Sequence, residues 1–222
     1  VRIINIVYDK ELKLEVQMQI EKIQYQQNKG VFIYTIAKKN YWVSYEKYIE
    51  WAFHQNDEVD SEMLALISKE NSKNQSFSIA ERYALYKPRT VQEVINKLRL
   101  NQIEEDHIEG AIEKLKKLGL LDDDSFAKRY VEEMYRSKDW SRYQLYAKLM
   151  EKGIGKNIVS SHLDQITDTM EKEKVSSILN KKYFRREYSS KKEKDKVAQA
   201  LMRRGFNSNV VKSAMKDFLQ EW

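Results

Sequence analysis

The stretch "LKKLGLLDDDSFAKRYVEE", residues 115–133, decides how this chain is read. Its three consecutive aspartates, Asp122, Asp123 and Asp124, could hold a metal ion or punctuate two helices. Leu115 and Leu118 end an amphipathic segment, and Gly119 stands where a helix terminates in a left-handed residue. Phe126, Ala127, Tyr130, Val131 and Met134 then recur at helical spacing. Asp122 or Asp123 is placed to cap that second helix, and Asp124 adds negative charge at its positive end. A metal site needs more oxygen ligands at defined spacing, and no glycine-centred calcium loop follows. The acids therefore read as caps, and the expected metal content is none.

Working outward, the same helix–turn–helix recurs. "LRLNQI" (98–103), "LMEKGI" (149–154) and "LMRRGF" (201–206) are spaced by 51 and then 52 residues. Counted from Ile103, Ile154 and Phe206, apolar residues follow at equivalent places: Ile108, Val159 and Val211; Ile112, Leu163 and Met215; Leu115, Ile166 and Phe218. Four residues before each leucine stand Val94, Leu145 and Val197. Thr90 with Glu93, Ser141 with Gln144 and Ser190 with Glu193 each fit the S/T-x-x-E/Q capping box. The third box lies three residues farther from its anchor, which requires a longer helix there or a different cap. Pro88 stops the helix before the first box. Each unit is thus expected to hold three helices, and the units to stack in series as an elongated array.

The first 60 residues differ. "QIEKIQY" and "VFIYTI" are β-branched and aromatic, and "QQNKG" between them is a hairpin signal. "NYWVS" could supply a third strand, and residues 1–16 a further one. "SYEKYIEWAFHQ" places Tyr48, Ile49, Ala52 and Phe53 at helical spacing. The polar run "SKENSKNQS" reads as a linker. The expected organisation is a β-meander with a short helix over 1–67, a linker over 68–76, and helical repeats over 77–121, 122–171 and 172–222. The fold class is mainly α: three tandem three-helix repeats behind a small β-rich (α+β) domain.

Composition agrees. Of 222 residues 41% are hydrophobic and 33% charged, with one proline and six glycines, a balance that favours helices. No run approaches the ~20 apolar residues of a membrane span, and the N-terminal stretch carries charges and no cleavage site, so it is not a secretory signal. The chain begins at Val1 rather than Met, which points to trimming. No cysteine is present, which excludes disulfides, thiolate metal sites and cysteine nucleophiles and suits the cytoplasm.

The net charge of +6 is unevenly spread. Residues 1–75 and 76–171 each come to −1, whereas 172–222 carry 14 basic and 6 acidic side chains. A polyanion partner is expected to be met at that end. Its densest stretch, "KKYFRREYSSKKEKDK" (181–196), interleaves Tyr183, Phe184 and Tyr188 with cations that can neutralise phosphates. A solvated helix pair with those rings in its core is the plainer reading, and Tyr183 and Phe184 are expected to face inward. Lys181, Lys182, Arg185, Arg186, Lys191, Lys192, Arg203 and Arg204 form the candidate patch for a polyanion or an acidic protein surface.

Signals for catalysis are few. His54, His107 and His162 are far apart and form no HExxH pair. No GxSxG elbow, P-loop or dinucleotide GxGxxG occurs, and "KGIGK" falls in a helix–helix turn. The four tryptophans are expected as packing anchors, with Trp140 partly exposed. No catalytic residue, enzyme activity or cofactor is assigned.

Residues 80–170 resemble the RecX family of bacterial recombination regulators. The resemblance rests on Arg89 and Thr90 opening a helix, then Gly119, Leu120, Leu121, Asp122, Asp123, Phe126 and Ala127 in a G-[YL]-[IL]-D-D-x-x-[FY]-A pattern. "KLMEKGI" and "ALMRRGF" are similar to the family's later repeats, and the likeness extends over roughly 77–222. Leu120 stands where tyrosine is frequent, and "LRLNQI" lacks a glycine before Ile103. The β-rich extension is similar to that of longer members from low-GC Gram-positive bacteria. The resemblance implies a non-enzymatic modulator that binds the RecA–DNA filament, lies in its groove, and usually restrains filament growth, ATP hydrolysis, strand exchange and co-protease activity in recombination and SOS repair. It implies the RecA filament as partner, contact with single- or double-stranded DNA directly or through the filament, no membrane, and a monomer. An autonomous DNA-binding protein is the alternative. Arg89, Thr90, Gly119, Leu121, Asp122, Asp123, Phe126 and Ala127 read as architecture.

Overall fold

The structure, a computed structural model, describes residues 18–26, 30–184 and 190–220. It divides into two compact units, one of residues up to Arg82 with Leu98–Lys114, the other of Tyr83–Lys97 with the residues from Leu115 on. The expected strand within 1–16, the hairpin loop at 27–29 and Arg185, Arg186 and Tyr188 of the basic stretch lie outside the described residues.

In the first unit, β1 (Met18–Gln26), β2 (Gly30–Thr35) and β3 (Asn40–Val43) form the expected antiparallel meander, and β4 (Glu58–Val59) joins the other edge, giving the order β3-β2-β1-β4. Alternation along β2 buries Val31, Ile33 and Thr35 on one face. Ile20, Ile33, Val43, Phe53, Val59 and Ile67 share one core. Helix α1 (Tyr45–Trp51) starts at the Ser44 cap and stops where Ala52 turns left-handed, φ 49°. The expected helical stripe is therefore cut short: Phe53 reaches the core from beyond the helix, and Ile49 faces solvent.

The linker expected at 68–76 is instead the middle of helix α2 (Ser61–Tyr86). Its polar residues are fastened by side-chain hydrogen bonds. Asn71 Oδ1 accepts from the Trp42 amide at 2.9 Å, and the buried Ser76 hydroxyl contacts the Lys73 and His107 carbonyl oxygens at 2.8 and 3.2 Å. With no glycine or proline between Gly30 and Pro88, the stretch holds no strong helix breaker.

The repeats then follow in chain order: α3 (Val91–Leu100) and α4 (Glu105–Lys117) after α2; α5 (Asp123–Ser137), α6 (Arg142–Glu151) and α7 (Lys156–Leu163); α8 (Asp168–Tyr183), α9 (Lys191–Arg203) and α10 (Ser208–Gln220). Every repeat position singled out by spacing is buried except Ile103, which is half-buried. The turns match bond for bond: the amides of Ile103, Ile154 and Phe206 donate to the carbonyls of Leu98, Leu149 and Leu201, at 3.2, 3.2 and 3.4 Å. In the second unit, Leu145, Leu149, Ile154, Val159 and Leu163 anchor one core and Val197, Leu201, Phe206, Val211 and Met215 the other. Each such side chain contributes ~1.5–3 kcal/mol by leaving water. All three capping boxes form, and α9 is 13 residues long where α3 and α6 are 10, so the displaced third box reflects a longer helix.

Candidate functional site

The three aspartates diverge to three partners. Asp122 caps α5, accepting from the amides of Asp124 and Ser125 at 3.0 Å each and from the Ser125 hydroxyl at 2.7 Å. These bonds, the Ser125 amide first, hold its carboxyl below the usual range. Asp123 Oδ1 accepts from the Val91 amide at 2.9 Å, and burial pushes its pKa up against that bond. Asp124 meets His162 Nε2 at 2.9 Å. Gly119 has φ +69° and closes α4, Leu121 is buried beyond it, and Phe126 and Ala127 sit in the core of the second repeat.

Thr90 and Ser141 show what the motif residues do together. Both are fully buried, and each accepts from its own helix while donating to the next repeat. Thr90 Oγ1 donates to the Lys152 carbonyl, and Ser141 Oγ to the Arg204 carbonyl, each at 2.7 Å. The following amides, Val91 and Arg142, donate to carboxylates on the next repeat's first helix, Asp123 at 2.9 Å and Glu171 at 2.8 Å. The helix residue after that presses on a glycine with positive φ. A Cβ on Gly153 would lie 2.3 Å from Gln92 Cβ, and one on Gly205 would lie 2.8 Å from Tyr143 Cδ1. Gln102, φ +58°, occupies the same turn of the first repeat.

Ion pairs seal both joints. Lys152 Nζ reaches Glu93 Oε1 at 2.7 Å. Burial raises the Glu93 pKa, but the hydrogen bonds from Lys152 and the Thr90 amide outweigh it and leave it lowered. At the second joint Asp139 pairs with Lys182 at 3.0 Å and lies 3.9 Å from Arg204, whose Nη2 also donates to the Asp139 carbonyl at 2.6 Å. The Lys182 hydrogen bond leads in lowering the Asp139 pKa. Lys174 on α8 donates to the carbonyls of Tyr135 and Lys138, covering the end of α5.

The candidate basic patch is therefore not uniform. Lys181, Lys191, Lys192 and Arg203 are exposed. Lys182 is exposed but paired with Asp139, and Arg204 is half-buried in the joint. Tyr183 packs against the third-repeat core, whereas Phe184, expected inside, is 51% exposed just beyond the end of α8. Trp140 is half-buried against the second-repeat core. Spacing in the sequence missed Lys152, Asp139 and Glu171 as joint residues. The recurring basic residue before Gly153 and Gly205 was the one available signal for them. Among the described residues no helix is long and apolar enough to cross a membrane.

The first, second and third three-helix domains of RecX match residues 77–115, 122–163 and 171–215, between them more than half of the chain. A regulatory protein RecX from Finegoldia magna is 29% identical over 199 residues, covering 88% of this chain and 97% of the relative. One from Limosilactobacillus reuteri is 28% identical over 194 residues, covering 86% and 74%. A crystal structure of a regulatory protein RecX superposes with TM-score 0.72 at 26% identity, covering 90% of this chain and 99% of that one. The RecX crystal structure from Lactobacillus salivarius gives TM-score 0.60 at 30% identity, over 66% and 96%. Three consecutive domain matches, in the order and at the places where the repeats fold, show that the chain belongs to the RecX family of regulatory proteins.

Proposed function

We propose that this chain is a non-enzymatic regulator that binds the RecA–DNA filament and restrains its ATPase, strand-exchange and co-protease activities. Family membership supports the regulatory part of this reading. The observation that supports a polyanionic partner is the positive excess of residues 172–222, four of whose candidate cations, Lys181, Lys191, Lys192 and Arg203, are exposed. Arg185 and Arg186 belong to the same proposed surface by sequence. Arg204 does not, because its guanidinium and carbonyl are engaged at the joint.

Co-sedimentation with recombinase-coated single-stranded DNA tests the reading, with bare DNA in parallel. Retention on the coated strand is expected, falling by roughly tenfold when Lys191, Lys192 and Arg203 are changed to Glu, with the loss largest at low salt. Equal retention on bare DNA, with no effect of the recombinase, would instead support an autonomous DNA-binding protein. Unchanged retention of the charge-reversed chain would remove the third repeat from the contact.

A further inference from the structure

Beside the first joint lies a cavity of about 560 Å³, within the size range of ligand sites. Pro88 and Phe126 give it an apolar lining, and Arg89, Lys128 and Arg129 bring three cations to it. The Arg89 guanidinium sits 3.8 Å from the centre of the Tyr83 ring, a contact that fixes its position. Its Nε is buried without a hydrogen-bond partner. None of the three cations forms an ion pair within 4.0 Å among the described residues. Asp122, one of two acids at the cavity, already accepts three hydrogen bonds from its own helix turn, and Glu132 is the other. Lys128 and Arg129 are exposed. Arg129 Nε donates to the Ser125 carbonyl of its own helix at 3.3 Å and its charge is felt by Asp122, which leaves the Lys128 ammonium and the outer Arg129 nitrogens for an incoming anion.

We infer that this cavity binds the phosphate backbone of a nucleic-acid strand. Arg89 supplies a pre-positioned fork for one phosphate, and Lys128 and Arg129, one turn into α5, neutralise the next. Phe126 and Pro88 receive the sugar or base between them. A carboxylate on a protein loop fits less well, because it brings one charge to three cations, whereas a nucleic-acid strand brings one at every nucleotide. The inference adds to the regulator reading a place where the strand held in a filament would be touched, away from the third repeat.

Fluorescence anisotropy of a labelled oligothymidylate, titrated with the full chain at several salt concentrations, tests it. The double variant Lys128→Gln, Arg129→Gln is expected to weaken binding about tenfold and to lower the slope of log affinity against log salt by about two. Its melting curve should overlay the wild type, since both side chains are exposed. Arg89→Gln is expected to lose a similar factor, and Arg89→Lys, which keeps the charge without the fork, to fall between. Unchanged affinity and slope in the double variant, or no oligonucleotide binding by the wild type, would overturn the site. So would displacement of the oligonucleotide by oligoglutamate and not by inorganic polyphosphate. Recombinase ATPase measured on the same proteins separates the two readings: inhibition without oligonucleotide binding sinks the cavity alone, and binding without inhibition sinks the regulator alone.

Discussion

Gly119 and Gly153 both hold positive φ, +69° and +78°, but for different reasons. Around Gly119 a Cβ would meet nothing within 4 Å, so the residue answers only a backbone requirement. Gly119→Ala should cost about 1 kcal/mol in urea unfolding, the strain of a left-handed alanine. At Gly153 the same methyl would collide with Gln92 Cβ across the joint, and Gly153→Ala should cost roughly 3 kcal/mol or more. Equal losses at the two sites would refute the close approach. Asp123 makes a different contrast. Its ionised form is disfavoured by burial, yet the Val91 amide needs an acceptor. Asp123→Asn should therefore be neutral or slightly stabilising at neutral pH, while Asp123→Ala should destabilise by about 1–3 kcal/mol. The sequence showed the three acids as caps through the flanking apolar stripes. It could not show that Asp123 serves α3 rather than its own helix, because that bond spans 32 positions.

At the scale of elements, the joint is the repeated device. Ser141→Ala removes an N-cap and leaves the Arg204 carbonyl without its donor in a buried place, so a loss of about 2 kcal/mol is expected by chemical denaturation. Ser190→Ala, at an exposed cap, should cost less than half of that. Acid should loosen both joints. Glu93 and Asp139 have folded pKa values lowered below their ordinary 4.5 and 3.8, so their stabilisation is complete above those values and is lost as pH falls through the lowered ones. The melting temperature should drop from about pH 5 to about pH 3, and Glu93→Gln should flatten that drop. A drop of the same depth in the variant would contradict the assignment. Helix periods, caps and turns were legible because each is set within a few residues. Helix α2 was not, since its polar middle is held by Asn71 and Ser76 bonding to distant backbone, which no local pattern signals. A truncation starting at residue 77 would cut this helix and should be avoided.

For the whole molecule, charge carries the functional reading. The first 171 residues are close to neutral and the last 51 strongly basic, which was visible by counting. Which of those cations are available was not visible, because the joint claims Arg204 and Asp139 draws in Lys182 through contacts across 65 and 43 positions. The recurrence of a three-helix unit could be read from the sequence, and three RecX three-helix domains match within the helical part of the chain. The central claim is that exposed third-repeat charge delivers a regulator to a recombinase filament. Its most direct test is the rate of ATP hydrolysis by the recombinase on single-stranded DNA, with the full chain and with the Lys191→Glu, Lys192→Glu, Arg203→Glu variant. Wild-type inhibition that the variant loses by roughly tenfold in effective concentration, with unchanged melting, is the predicted result; no inhibition by the wild type, or equal inhibition by both, would contradict it.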